Sequence, residues 1–155
     1  PAALKDLIKI LLDSDIVIVQ MPCPELCCLG LNRGNNDGAD VPVVIENTRI
    51  RKEMQKAKSY KMLMAQVDYV MKQITEYNAY GFEIIGIIGA NRSPNCGVET
   101  TSDFNKEISG KGIFMSELSN RIKAENLNIP MLGIKDTDNV FEQVKSFIKS
   151  NLVKE

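Results

Sequence analysis

The amino-acid sequence predicts an α/β fold, a three-layer α/β/α sandwich on a mainly parallel sheet. Two observations carry this expectation. Three short apolar runs, DIVIVQM at 15–21, FEIIGIIGA at 82–90 and IPMLGI at 129–134, have the length and β-branched content of strands buried on both faces. Between them lie longer stretches with apolar residues at helical spacing. Such alternation requires crossover connections, and so parallel strands covered by helices on both sides.

The elements follow in order. Residues 2–13 carry Leu4, Leu7, Ile8, Leu11 and Leu12 at helical spacing, followed by the first strand at 15–21. Residues 22–43 hold prolines, glycines and the early cysteines, so a long loop is expected, mobile over 26–40. Residues 47–79 read as one amphipathic helix through Tyr60, Leu63, Met64, Val67, Val70, Met71, Ile74 and Tyr77, with Gly81 as its stop. The second strand, 82–90, runs into the loop NRSPNCGVETTSDF and a turn at Gly110 and Gly112. A helix over 115–126, the third strand at 129–134 and a helix over 138–152 through Val140, Val144, Phe147 and Ile148 complete the chain. The resulting order, α-β-α-β-α-β-α, is flavodoxin-like in the broad sense. With 155 residues the chain fits a single α/β domain, 1–155, and shows no internal repeat.

Composition narrows the function. The chain is 44% hydrophobic and 25% charged with a formal net charge of −1, so no basic excess points to a nucleic-acid partner. No apolar run reaches the ~18 residues of a membrane span, and the opening stretch does not resemble a signal peptide. The four cysteines are too few and too crowded for a disulfide scaffold, which places reduced thiols in a cytoplasmic setting. Histidine is absent, which excludes Ser-His-Asp and Cys-His catalysis and any His-containing metal site within this chain.

Two cysteine motifs follow the first two expected strands, where open parallel sheets place their sites. Pro22 and Pro24 stiffen the backbone around Cys23 in MPCPE. Pro94 and Gly97 do the same around Cys96 in ANRSPNCG. Neighbouring strands would bring Cys23 and Cys96 into one pocket, with Ser93, Asn95 and nearby N–H groups as donors to a sulfur-rich or anionic ligand.

The pair CPE and SPNCG resembles the thiouracil desulfidase family, whose motifs read CPE and SPSCG. The strings QMPCPELCCLGLNRG, DVPVVIENTRIRK and GIIGANRSPNCGVETT are closer to its TudS-related subgroup. The resemblance covers most of the chain and lies in the paired motifs. It implies a desulfidase that binds a 4Fe–4S cluster through three cysteines, the fourth iron having no protein ligand. It implies a small thiolated nucleobase or similar thio-compound as substrate, desulfurised by water without net redox change. Cys23 and Cys96 match two of the metal ligands, Glu25 a candidate acid/base and Ser93 a group orienting substrate or water. The family's first cysteine follows an N-terminal strand that has no counterpart here. The expectation is that this strand and cysteine lie upstream of Pro1 and that the pocket is open on that side, Cys27 or Cys28 being the lesser choice as third ligand.

Plainer readings stand beside this one. Cys23 and Cys96 as buried structural thiols, a cluster-free thiol enzyme using Cys96, and a non-catalytic ligand-binding or regulatory domain all remain open. A zinc site is a weak alternative without a second CxxC pair. Glu25 fits a helix cap as readily as a catalytic acid. Arg33 and Arg92 suit an anionic substrate group or plain solvent. Met54, Met62, Met64 and Met71 suit packing. Oligomeric state has no signal in the sequence.

Overall fold

The structure is a computed structural model that describes residues 5–135 and 139–152. Its elements are α1 (Lys5–Leu12), α2 (Pro24–Leu29), a 3-10 turn (Gly38–Asp40), α3 (Val43–Met54), α4 (Ala57–Ala79), β1 (Ile87–Ala90), β2 (Thr100–Asp103), β3 (Lys106–Ser109), α5 (Ile113–Ala124), β4 (Met131–Ile134) and α6 (Val140–Asn151). Residues 2–4 and 138 of the expected terminal helices lie outside the described residues.

β1 and β4 pair in parallel, from Ile87 opposite Met131 to Ala90 opposite Ile134. Successive side chains on a strand point to opposite faces, and here that divides the core in two. Ile87 and Met131 pack with Leu63 and Val67 of α4 and with Phe114 and Leu118 of α5. Ile88, Leu132 and Ile134 pack with Ile10 of α1 and with Val144 and Ile148 of α6. Helices therefore cover both faces of a small parallel pair, which is the expected α/β class.

Three elements depart from expectation. Residues 15–21 form no strand: Asp15 lies in a turn with φ of 54°, and Val17 is 85% exposed. Ile16 and Met21 dock on the two core clusters, but among the described residues no ladder of backbone hydrogen bonds reaches Val17, Ile18 or Val19. High β propensity alone does not make a strand without a neighbour. The helix over 47–79 begins earlier, at Val43, and breaks at Gln55–Lys56 without glycine or proline. Lys56 takes an extended ψ of 143°, which lets α4 leave along a new axis toward α5. The loop after Gly97 contains an unexpected antiparallel hairpin, β2–β3. Its turn residues Phe104 and Asn105 have φ of 51° and 59°, the pair of left-handed conformations that a tight hairpin favours.

The expected long loop 22–43 is also more ordered than a mobile segment. It contains α2 and the 3-10 turn. Arg49 Nη2 donates to the Arg33 carbonyl (2.8 Å), and Asn35 Nδ2 donates to Glu46 (3.1 Å), tying it to α3.

Leu118 has no exposed surface and packs within the α4–α5 cluster, whereas Leu31 is 84% exposed. Leu118→Ala is expected to cost about 2–5 kcal/mol in denaturant unfolding, and Leu31→Ala no more than about 0.5 kcal/mol.

Candidate functional site

The site grows from the loop that leaves the C-terminal end of β1. Asn91 follows the strand directly, and its Oδ1 accepts the backbone N–H groups of Val98 (3.3 Å), Glu99 (3.1 Å) and Thr100 (3.3 Å). One side chain thus closes a ten-residue loop, Asn91–Thr100. Across the sheet, Glu99 accepts the N–H of Gly133 (3.1 Å). A Cβ at Gly133 would collide with Asn91 and Glu99, so only glycine fits that place in β4.

Within the loop, the Ser93 hydroxyl oxygen accepts the N–H groups of Asn95 (3.3 Å) and Cys96 (3.0 Å). The Ala90 N–H donates to the Cys96 carbonyl (3.0 Å), folding the loop back on the strand. The polar strand β2 cradles the far side. Thr101 Oγ1 donates to the Ser93 carbonyl (3.0 Å), and Ser102 Oγ donates to the Arg92 carbonyl (2.7 Å). Arg51 Nη1 donates to the Pro94 carbonyl (3.3 Å) and to Thr101 (3.1 Å), joining α3 to both.

The second motif meets this loop from α2. Cys23 is the N-cap residue of α2, and Pro24 occupies its first turn, where a missing N–H costs nothing. Glu25 is 9% exposed. One of its carboxylate oxygens accepts Arg33 Nε, and the other accepts Asn95 Nδ2 (3.1 Å). The Glu25–Asn95 bond joins residues 70 apart in sequence and unites the two motifs.

This union sets the chemistry of Cys96. Burial raises its pKa to about 12, and the charges of Glu25 and Cys23 push the same way; the Ser93 hydroxyl, hydrogen-bonded to the thiol, pulls it back in part. Cys96 is therefore a protonated thiol at neutral pH unless a cation replaces the proton. A thiol held this way is a poor free nucleophile, because the thiolate is the reactive form.

Glu25 of the first motif thus bonds Asn95 of the second, beside Ser93 and Cys96, while Cys23, at the N-cap of α2, is exposed. Cys27 donates its N–H to the Cys23 carbonyl (3.1 Å), one helical turn away, and is exposed. Cys28 is engaged elsewhere, between the Ser59 carbonyl (3.5 Å) and Gln66 Nε2 (3.4 Å) of α4. Burial raises its pKa first of all. Of the two arginines considered for an anion, Arg33 is committed to Glu25, while Arg92 lies half-buried near Glu107. Asn91, Arg51, Thr101 and Ser102 were not legible as site residues. An asparagine directly after a strand was the one available signal.

Two thiols suit a soft iron–sulfur centre, and the histidine-free chain offers no imidazole to compete. Among the described residues, no group of three or more Cys, His, Asp or Glu gathers to hold a metal ion. Cys23 and Cys96 are two thiols of the kind such a centre takes, and no third ligand gathers with them among the described residues. The described helices include none long and apolar enough to cross a membrane.

The chain is 27% identical over 149 residues to a protein of Methanocaldococcus jannaschii described as "Uncharacterized protein MJ0003"; the match covers 96% of this chain and 78% of that one. No family model matches, and no solved structure does either.

Two outcomes follow from this network. Asn91→Ala leaves three loop N–H groups without their acceptor, two of them part-buried, and should lower unfolding stability by about 1–3 kcal/mol. Glu107 has its pKa lowered from 4.5, first by the Lys135 hydrogen bond and then by Thr100. A depressed carboxylate adds stability above its unfolded pKa and loses it as pH falls through the folded pKa. Glu107→Gln should thus be less stable than the parent at neutral pH, and the difference in urea midpoint should vanish in strong acid. A difference unchanged with pH would contradict it.

Proposed function

We propose that the chain is an iron–sulfur-dependent desulfidase that removes sulfur hydrolytically, without net redox change, from a thiolated nucleobase or similar small thio-compound in the cytoplasm. The observation that carries this reading is the Glu25–Asn95 hydrogen bond, which joins the motif of Cys23 to that of Cys96 around a buried carboxylate. When bound, a 4Fe–4S cluster would supply Lewis acidity at an iron that lacks a protein ligand.

The remaining work falls to this chain's own residues. Cys23 and Cys96 act as thiolate ligands, the first on the cap of α2 and the second on a loop closed by Asn91. Metal binding at Cys96 must displace the thiol proton, which burial there holds more firmly than usual, so uptake should improve as pH rises. Ser93, whose hydroxyl accepts the Cys96 N–H, is the candidate for orienting substrate or water. Glu25, with its oxygens directed by Arg33 and Asn95, is the group placed to take a proton from water. Neither cysteine that follows Cys23 in α2 is assigned as a third thiolate: α4 engages Cys28, and Cys27 is exposed. The same raised pKa disfavours a cluster-free enzyme with Cys96 as nucleophile.

Anaerobic reconstitution of the full-length chain tests this directly. The parent should bind about four irons per chain and turn brown. Cys23→Ser and Cys96→Ser should each lose more than half of that iron, and the paired change Cys27→Ser with Cys28→Ser should keep it. A colourless parent binding below about one iron per chain would refute the cluster. Loss of iron in the paired variant would move the third ligand to α2.

A further inference from the structure

A cleft of about 340 Å³ lies between α5, the segment that returns from α5 to β4, and the Val98–Glu99 end of the cysteine loop. That volume falls within the range of small-molecule sites. Its walls follow from the sequence. Ser119, Ile122 and Lys123 stand three and four residues apart on α5, so they share one helix face. Asn126, with φ of 56°, turns the chain after the helix, and the Leu127 N–H returns to the Ile122 carbonyl (3.1 Å). Leu127 and Met131 then line the cleft as well. Glu99 ties the loop side to the sheet by accepting the Gly133 N–H (3.1 Å).

Two features of this cleft serve no contact inside the fold. The first is Ser119. It is 7% exposed and lines the cleft, yet its hydroxyl makes no hydrogen bond among the described residues. Buried hydroxyls are ordinarily paired. This one is not sealed off like the Asn95 Oδ1, so a partner can reach it from the cleft. The second feature is charge. Lys111, half-buried, and Lys123, exposed, both line the cleft, and neither has an ion-pair partner among the described residues. By contrast, Lys56 pairs with Glu53 and Lys135 with Glu107. Glu99 is the one carboxylate on the lining. Two ammonium groups against one carboxylate leave a single positive charge in excess. The rest of the lining is largely apolar, with Val98 and Ile122 buried and Leu127 and Met131 partly so.

We propose that this cleft is a binding site for a small organic monoanion, a carboxylate carried on a compact apolar body. The proposal stands apart from the desulfidase reading and uses none of its residues. The ligand carboxylate lies by the lysines and accepts the Ser119 hydroxyl. The apolar body covers Ile122, Leu127 and Met131. A neutral ligand leaves the excess positive charge unmatched, and a dianion sets its second charge against Glu99. A bare inorganic anion leaves the apolar surface in water and gains nothing from it. The ligand also touches the Asn91–Thr100 loop, through Val98 and Glu99.

The test is isothermal titration calorimetry of the full-length chain with 4-phenylbutyrate and with its neutral amide, 4-phenylbutyramide. The parent should bind the carboxylate about tenfold more tightly than the amide, the worth of one charge-assisted hydrogen bond. Lys111→Gln combined with Lys123→Gln should bring the two ligands within about twofold of each other. Ser119→Ala should weaken carboxylate binding about three- to tenfold. Ser119→Ala removes one atom and the lysine changes lie at the rim, so both variants should keep the parent's urea midpoint. Arg121→Gln is the control: it removes a charge from the same helix, but one that pairs with Asp68 (2.9 Å) outside the cleft, and it should keep the parent's preference. No saturable binding of the carboxylate below about 1 mM, or equal affinities for the two ligands in the parent, would overturn the proposal. So would a lysine variant that keeps the preference, a Ser119→Ala variant that binds as the parent does, or loss of the preference in Arg121→Gln.

Discussion

The N-terminus of α5 is capped by the cysteine loop, and the site depends on that contact. A helix begins with N–H groups that have no partner inside it. The N-cap of α5 is Gly112, which offers no side-chain acceptor. The Ile113 N–H goes instead to the Pro94 carbonyl (2.9 Å), and the Met115 N–H goes to the Asn95 carbonyl (3.0 Å). Gly112 is what allows so close an approach, because any Cβ there would strike the Asn95 backbone. The helix is thereby completed and the loop fixed at once. Pro94 and Asn95 cannot shift without exposing the end of α5, so Cys96, the next residue, inherits their position.

Charge does the rest of the positioning. Arg33 pairs with Glu25, Arg49 with Glu46, and Arg51 with Asp103. These pairs link α2, α3, β2 and the segment between α2 and α3. Arg49 is the hinge of this arrangement, since it holds Glu46 and also the Arg33 carbonyl. The Arg49 hydrogen bond, with Asn35 adding to it, lowers the pKa of Glu46 from its ordinary value. Arg33 is thus held by its backbone while its guanidinium stays half-exposed over Glu25.

The parts legible in the sequence are those with an apolar period. β4, α4, α5 and α6 carry their hydrophobic faces openly, the strand expected over 82–90 forms at its end as β1, Ile87–Ala90, and the two proline-flanked cysteines stood out on local chemistry. What stayed hidden is polar. β2 reads TTSD and buries Thr101 and Ser102, so no apolar alternation marks it. Its hairpin turns at Phe104–Asn105 rather than at an asparagine–glycine pair. The break between α3 and α4 falls at Gln55 and Lys56, two good helix formers. DIVIVQM misled in the other direction: its composition suits a strand, but pairing requires a neighbour that composition cannot supply. Cys27 and Cys28 are adjacent and look alike in sequence, yet one faces solvent and the other α4.

The central claim is that the Cys23 and Cys96 sulfurs share one site. The most direct measurement is peptide mapping by mass spectrometry after treatment with a trivalent arylarsenical, which bridges two nearby thiols. The chain would carry Cys27→Ser and Cys28→Ser, so that two of its four thiols remain. The account predicts one arsenic per chain, joining the peptides that contain Cys23 and Cys96. Separate alkylation of the two thiols, with no bridged peptide pair, would contradict it.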